Sequence, residues 1–547
     1  MQKPASLETA VEPGEAPPQV IFHPPMPISW RLGILAGITI IGAIAYATRE
    51  SIGLQGQAFA GLAFFFGIVA AFSSNLRAVN WKTIGWGIVL QLTLAILVLN
   101  SGRPYQIVAG ICMAAIVVAW FITHIRPVMR GEQVRVPGML LGIVAIMLAY
   151  YIFFIKGVRP SFEKAGEVVK AFITFSDKGA EFVFGNLSHP EHMAKVYGAD
   201  YLFSFAFKAL PPILFISAFF TVLYHFGILQ WCVRMLAVVM VHLMGTSGAE
   251  TLSVAANVFM GQTEAPLIVR PYVPRMTNSE LFALMASGMA HISGALMVVY
   301  ISYGADPVAV LTTCVMACPC SLYLSKLFLP EVSKPVTGGT LHTHNEKSPY
   351  VNAIDAAAAG TSDGLQLALN VAAMLIVFIA FVAMFDALLG QIKPMLLVLH
   401  FPADALVNWP NDLSLGMLFG WIFSPVAFLM GVQVDDAAKV GSLLGTKLSV
   451  NEHMAFLQMQ KLLMDPSTNE LLKVPLMSDR SFKLAAFALT GFANFSSVGI
   501  QLGGIGAMAP NRRHDLARLG MRALFVGFTA SLMNAALAGL LLDVAAK

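Results

Sequence analysis

The sequence predicts an all-α polytopic membrane protein with about eleven transmembrane helices and two re-entrant hairpins set in inverted repeats. Three observations predict it. The chain is 57% hydrophobic and 12% charged, with mean hydropathy +0.72, whereas a soluble domain carries roughly 25% charged residues. Apolar runs long enough to cross a bilayer recur along its length. Two regions, 228–275 and 413–475, each hold an apolar helix followed by an interrupted polar segment. The net charge of +4 is small and gives no reason to expect a nucleic-acid partner.

Taken in order, residues 1–29 contain seven prolines, three acidic residues and no apolar h-region, which predicts a disordered tail. Apolar spans are then expected at Trp30–Thr48, Gln55–Ser73, Ile84–Asn100, Tyr105–Thr123 and Pro137–Ile155. These form an N-terminal unit over 30–156. Across 160–186 the pattern changes. Phe162, Val168, Val169, Phe172 and Phe175 alternate with Glu163, Lys164, Glu167, Lys170 and Asp177, an amphipathic helix suited to a membrane face. With the span Leu202–Phe226 it makes a unit over 157–227. Spans at Glu280–Ser302 and Pro307–Phe328 complete a first repeat over 228–330. A linker and the central span Leu365–Leu389 occupy 331–412. Spans at Ser481–Met508 and Arg518–Leu541 complete a second repeat over 413–547.

Basic residues orient this arrangement. Arg126, Arg130 and Arg135 share one loop, Arg270 and Arg275 another, Arg512, Arg513 and Arg518 a third. With the N-terminus cytoplasmic and both interrupted regions re-entrant, all three loops fall inside, as the positive-inside rule expects. The C-terminus is then external. Cys112, Cys232, Cys314, Cys318 and Cys320 lie in apolar sequence and read as small packing residues rather than a disulfide or metal framework.

The two interrupted regions resemble each other. Leu243-Met244-Gly245 is followed by Glu264, 19 positions after the glycine; Leu429-Met430-Gly431 is followed by Glu452, 21 positions after. Gly288-Met289-Ala290-His291-Ile292-Ser293 likewise matches Gly491-Phe492-Ala493-Asn494-Phe495-Ser496. Three crossings separate the hairpins, so the second unit is inverted, an architecture of secondary transporters.

The polar residues gather at these centres. In Gly261-Gln262-Thr263-Glu264-Ala265-Pro266-Leu267, an amide, a hydroxyl and a carboxylate interrupt apolar sequence, with Thr263 expected near the N-cap of a second helical arm. His291 and Ser293 lie opposite. The second repeat offers Asn451, Glu452, Asn494, Ser496, Ser497 and Gln501, with Phe492 and Phe495 beside Asn494. The set suits a neutral ligand with several donors and acceptors and a flat face. Asn494 and Ser497 could equally make interhelical hydrogen bonds, Glu452 could assist a helix N-cap, and the run Gly503-Gly504-Ile505-Gly506 reads as close helix packing. A channel would need a continuous polar path. A membrane-embedded enzyme would need a nucleophile–base set or metal cluster, and none has the spacing, so no catalytic residue is expected.

Gly261–Leu267, Asn451-Glu452, Gly491–Ser497 and Leu429-Met430-Gly431-Val432 resemble the concentrative nucleoside transporters, over about residues 160–541. The extra N-terminal spans are similar to the longer, eleven-span members. The resemblance implies a homotrimer in a plasma (cell inner) membrane, each protomer importing purine or pyrimidine nucleosides by an elevator movement coupled to a cation. It implies that Gln262, Thr263 and Glu264 face the nucleobase, with Leu296 packed against it. Glu452, Asn494 and Ser497 would hold the ribose, with Phe492 beside it. A sodium site is implied at Asn257, Met260, His291 and Ile292, mostly through backbone. No further cofactor is implied. His291 departs from the family, which usually has Ser or Thr there. Imidazole takes up a proton near neutral pH and is a poor ligand for a hard cation, so sodium is the leading coupling ion and a proton the alternative.

Overall fold

A computed structural model describes residues 26–99, 158–189, 210–338, 349–400, 409–463 and 476–542, with a few isolated positions between them. The expected spans Tyr105–Thr123 and Pro137–Ile155, Cys112 and most of the N-terminal tail lie outside the described residues. Among those described, the chain is helical and forms no strand ladder, only one isolated bridge between Ser247 and Gly338. Among the described residues seven helices are long and apolar enough to cross a membrane, or up to nine if each of two bent pairs is one span.

The N-terminal helices are α1 (Ile28–Ala47), α2 (Arg49–Ala71) and α3 (Trp81–Leu99), close to their expected bounds. The amphipathic helix α4 spans Val158–Phe184, and its Phe172 ring packs 4.6 Å from Phe219 and 5.8 Å from Phe215 of α5 (Leu210–His225). Phe175 and Val168 of α4 stay exposed.

Residues 228–330 run through α6 (Ile228–Met244), α7 (Gly248–Ala256), two short 3-10 turns, α8 (Asn278–Ala290), α9 (Gly294–Ser302) and α10 (Pro307–Phe328). A long α11 (Ala353–Gly390) packs on α5, and the short α12 (Ile392–Val398) follows it. After it come α13 (Leu415–Leu429), α14 (Val434–Ser449), α15 (Glu452–Leu463), α16 (Asp479–Leu489), α17 (Phe495–Met508) and α18 (Arg513–Leu541).

The matched glycines have the same backbone. Gly245 ends α6 at φ 69° and Gly431 follows α13 at φ 84°, both left-handed, the conformation glycine adopts without penalty at a helix end. The chain turns by 117° between α13 and α14. Two expected single spans are each broken in two. Glu280–Ser302 divides into α8 and α9 at 291–293, where Ser293 N-caps α9 by accepting from Leu296 N. Ser481–Met508 divides into α16 and α17 at 490–494, where Gly491 sits at φ 154° and Asn494 N-caps α17. A capping side chain offers the backbone an alternative to continuing the helix, which is why both breaks fall at Ser or Asn.

The base of the first hairpin is held by charge. Capping boxes Ser247/Glu250 and Thr277/Glu280 start α7 and α8. Between them lies Lys326 of α10, 2.7 Å from Glu250 and 3.3 Å from Glu331, with Nζ also donating to Ser279 Oγ at 2.9 Å. Ser247 Oγ donates to Glu280 at 2.5 Å. Buried charges persist only when paired and hydrogen-bonded in this way.

Candidate functional site

The two helix breaks meet. Phe492 N, in the second break, donates to His291 O, in the first, at 3.0 Å. Gly294 N donates to Phe259 O at 3.0 Å, which ties the first break to the chain entering the hairpin tip. The two breaks and the chain beside them therefore converge on one region, and its polar side chains fall into three groups.

The first group surrounds Glu452. Its carboxylate accepts from Tyr300 OH at 2.9 Å and from Asn494 Nδ2 at 2.9 Å, and the residue is only 4% exposed. Asn494 Oδ1 accepts from Ser497 N at 2.9 Å and from Ser496 Oγ at 2.6 Å. Asn451 Oδ1 accepts from Met454 N at 2.9 Å, so Asn451 caps α15 and Glu452 is left free to point inward. Its carboxylate is oriented by neutral donors and can accept further hydroxyl hydrogens.

The second group surrounds Gln262. Its Nε2 donates to Ser497 Oγ at 3.1 Å, and its Oε1 accepts from Gln501 Nε2 at 3.2 Å. Gln501 Nε2 also donates to Met285 O at 3.0 Å. Ser497 thus joins both groups, through its amide to Asn494 and through its hydroxyl to Gln262. Gly288 makes room for these amides: a Cβ there would lie 2.7 Å from Gln501 Nε2.

The third group lies around Asn257 at the end of α7. Asn257 Nδ2 donates to Ser253 O and to Ser287 Oγ, both at 3.1 Å. Its Oδ1 is buried without a hydrogen-bond partner, and so is Ser253 Oγ. A buried polar oxygen without a partner is costly, and a cation satisfies it. His291 turns its ring elsewhere, with Nδ1 2.8 Å from Ser287 O and Nε2 3.4 Å from Cys318 Sγ. Its carbonyl, the buried Ile292 and the half-buried Met260 stand at the break and hairpin.

The other expected residues are placed as follows. Leu296 and Phe492 are 5% and 8% exposed, and flank the breaks. Thr263 lies over α17, with its Cγ2 2.7 Å from where a Cβ on Gly504 would stand, so this glycine serves close packing as its run predicts. Gly503 meets nothing within 4 Å. Glu264, not Thr263, occupies the cap position, and the arm it opens is a 3-10 turn, Ala265–Val269, with Pro266 in its first turn. Glu264 is exposed and folds back to accept from Gly261 N at 3.1 Å, so it stands at the edge of the bonded groups. Lys447 is fully buried, five residues before Glu452, and its charge acts on that carboxylate without touching it. Tyr300 is a polar partner of Glu452 that the sequence pattern does not single out. Tyr300 sits two helical turns after Ser293, and a buried tyrosine hydroxyl ordinarily has a partner, so the signal was present. Cys314, Cys318 and Cys320 are buried and free, and no grouping of metal-ligating side chains occurs among the described residues.

Known proteins are similar to this chain over most of its length. Residues 309–539 match the family described as Na+ dependent nucleoside transporter C-terminus, 60–124 its N-terminus counterpart, and 206–307 a Gate family described as nucleoside recognition. Human sodium/nucleoside cotransporter 1 is 33% identical over 528 residues, covering 95% of this chain and 69% of its own. The chain belongs to the sodium-dependent, or concentrative, nucleoside transporter family. This family member is a multi-pass membrane transporter and not an enzyme. A protein of Haemophilus influenzae described as an uncharacterized transporter is 38% identical over 412 residues, 74% of this chain and 92% of its own. CNTnw in an inward-facing substrate-bound state aligns with TM-score 0.70 and 32% identity, over 89% of this chain and 97% of its own. A CNTnw variant in an outward-facing state aligns with TM-score 0.72 and 31% identity, over 89% and 98%.

Proposed function

We propose that this transporter imports nucleosides by sodium symport, binding them where the two hairpin tips meet the two helix breaks. The observation that carries this reading is the pair of linked groups, Glu452–Asn494–Tyr300 and Gln262–Ser497–Gln501. One offers a hydroxyl-accepting carboxylate and the other amide edges, the two chemistries of a ribose and a nucleobase. Glu452, Asn494 and Ser497 hold the ribose, with Phe492 beside it. Gln262, Thr263 and Glu264 face the base, with Leu296 against it. Sodium binds Asn257 Oδ1 together with the carbonyls of Met260, His291 and Ile292. The imidazole of His291, already engaged on both ring nitrogens, serves as packing rather than as ligand.

The working unit is a homotrimer in the plasma (cell inner) membrane, with the N-terminus cytoplasmic and the C-terminus external. The repeats 228–330 and 413–547 move as an elevator against the remaining spans. Half-helix ends facing one site, and a bonded joint between the two breaks, support movement of both repeats as one body. The test is radiolabelled uridine uptake into proteoliposomes, with sodium replaced by choline at several pH values. Accumulation that requires sodium is expected. Full uptake in choline sinks the sodium reading in favour of a proton, and uptake that never exceeds equilibration favours a channel.

A further inference from the structure

The second repeat contains a buried cation of its own. Lys447 stands in the last turn of α14, five residues before Glu452, and is 0% exposed. Its Nζ donates to Ala488 O at 2.7 Å and to Ser531 Oγ at 3.0 Å, and lies 5.5 Å from the centre of the Phe528 ring. Among the described residues it forms no ion pair. The nearest opposite charge acting on it is the Glu452 carboxylate, which it does not touch; a buried ammonium without a contacting counter-ion is expensive and persists where something needs its charge.

Its surroundings say what that is. Ala488 is the penultimate residue of α16, whose last carbonyls face the break at 490–494. The C-terminal end of a helix carries partial negative charge and unpaired carbonyls, which a cation stabilises. In the first repeat, Asn257 ends α7 seven residues before Glu264 and reaches α8 at Ser287, beside the break at 291–293. The same arm of each hairpin thus presents a polar group to the end of the first half of a broken helix. In one repeat that group is the Asn257 amide, whose nitrogen makes the contact and whose Oδ1 is left without a partner. In the other it is an ammonium bonded to oxygens.

We propose that the Lys447 ammonium is a tethered cation, filling in the second repeat the place that the coupling cation takes in the first. Resting on the assignment of that cation to Asn257, the arrangement leaves a single exchangeable cation site per protomer. Ser531 and Ala488 are its fixed ligands. By holding the end of α16, Lys447 positions the break that carries Phe492 and Asn494. The deleted charge should therefore be replaceable by a free one.

The test uses Lys447→Ala and Lys447→Met in the full-length protein in proteoliposomes, beside the unaltered protein. Uridine uptake by Lys447→Ala in ordinary sodium is expected to fall at least about tenfold, a change of about 1.4 kcal/mol. Methylammonium, or raised sodium against choline of equal strength, should restore it. In sodium alone the Hill coefficient should rise from about one toward two. Methylammonium should leave the unaltered protein unchanged. A Lys447→Met variant that transports like the unaltered protein overturns the proposal, as does a folded Lys447→Ala that no cation rescues. Should Lys447→Ala not accumulate in membranes, Ser531→Ala decides. A several-fold higher KM for uridine with an unchanged Hill coefficient supports the proposal, and an unchanged KM overturns it. Sodium-independent uptake by the unaltered protein overturns the Asn257 assignment separately, and rescue of Lys447→Ala by methylammonium can still be read.

Discussion

Asn494 and Glu452 are bonded at 2.9 Å, and the same Asn494 side chain caps α17 through Ser497 N at 2.9 Å. One amide therefore ends a helix break and aims a carboxylate. Asn494→Asp keeps the acceptor that makes the cap but sets a second carboxylate against the first. Uridine uptake is expected to fall at least about tenfold while thermal stability in detergent changes by less than about 1 kcal/mol, the worth of a lost cap. Asn494→Ala should lose both. Uptake and thermal unfolding of the two variants, measured together, check the separation.

Tyr300 holds the other oxygen of Glu452. Tyr300→Phe removes a hydroxyl and leaves the carboxylate to Asn494 alone. Loss of one hydrogen bond to a charged group is worth about 1.5–3 kcal/mol. The expected result is weaker uridine binding by roughly tenfold or more, with 2′,3′-dideoxyuridine affected less than uridine. Equal losses for both nucleosides would remove Glu452 from the ribose half.

Gln262 is bonded to Ser497 and Gln501 across the two repeats. Gln262→Ala should raise KM for nucleosides by several-fold with a smaller effect on the maximal rate. Competition of uridine uptake by a series of nucleosides in that variant checks it: a changed order of preference is expected, because the base edge has lost its amide.

The unpartnered oxygen of Asn257 makes a sharper prediction. Asn257→Leu removes that oxygen, so the sodium concentration needed for half-maximal uptake should rise at least about tenfold. Uridine binding at saturating sodium should change little. A sodium titration of uptake separates the two effects.

Lys326 is paired to Glu250 at 2.7 Å inside the base of the first hairpin. Lys326→Met leaves Glu250 and Glu280 buried without a cation, which costs about 3–5 kcal/mol. Thermal unfolding in detergent should drop by several degrees, and Lys326→Met combined with Glu250→Gln should recover part of the loss.

Much of this was legible in the sequence because a membrane chain must declare its polar groups. The spans at Trp30–Thr48, Pro307–Phe328 and Arg518–Leu541 lie within a few residues of the observed helices, since apolar length alone defines them. Gln262, Glu452, Asn494 and Ser497 stood out as polar residues in apolar surroundings, and they are bonded together. By apolar length 280–302 and 481–508 are each one span, and only the family resemblance points to a broken part, at His291, because a cap of one Ser or Asn is a weak signal inside a long apolar run. Tyr300 was overlooked because its ring blends into a hydrophobic helix while its hydroxyl does the bonding. The exposed position of Glu264 depends on a turn only five residues long, and no periodicity records it.

The joint between Phe492 N and His291 O involves no side chain. Mutational drift can therefore change what residue 291 is without loosening the seam, and a histidine can replace a hydroxyl residue there with the two halves still in register. Only a substitution that deletes an amide hydrogen, proline at 492, reaches it. The most durable part of this transporter is thus a contact that comparison of side chains would never reveal.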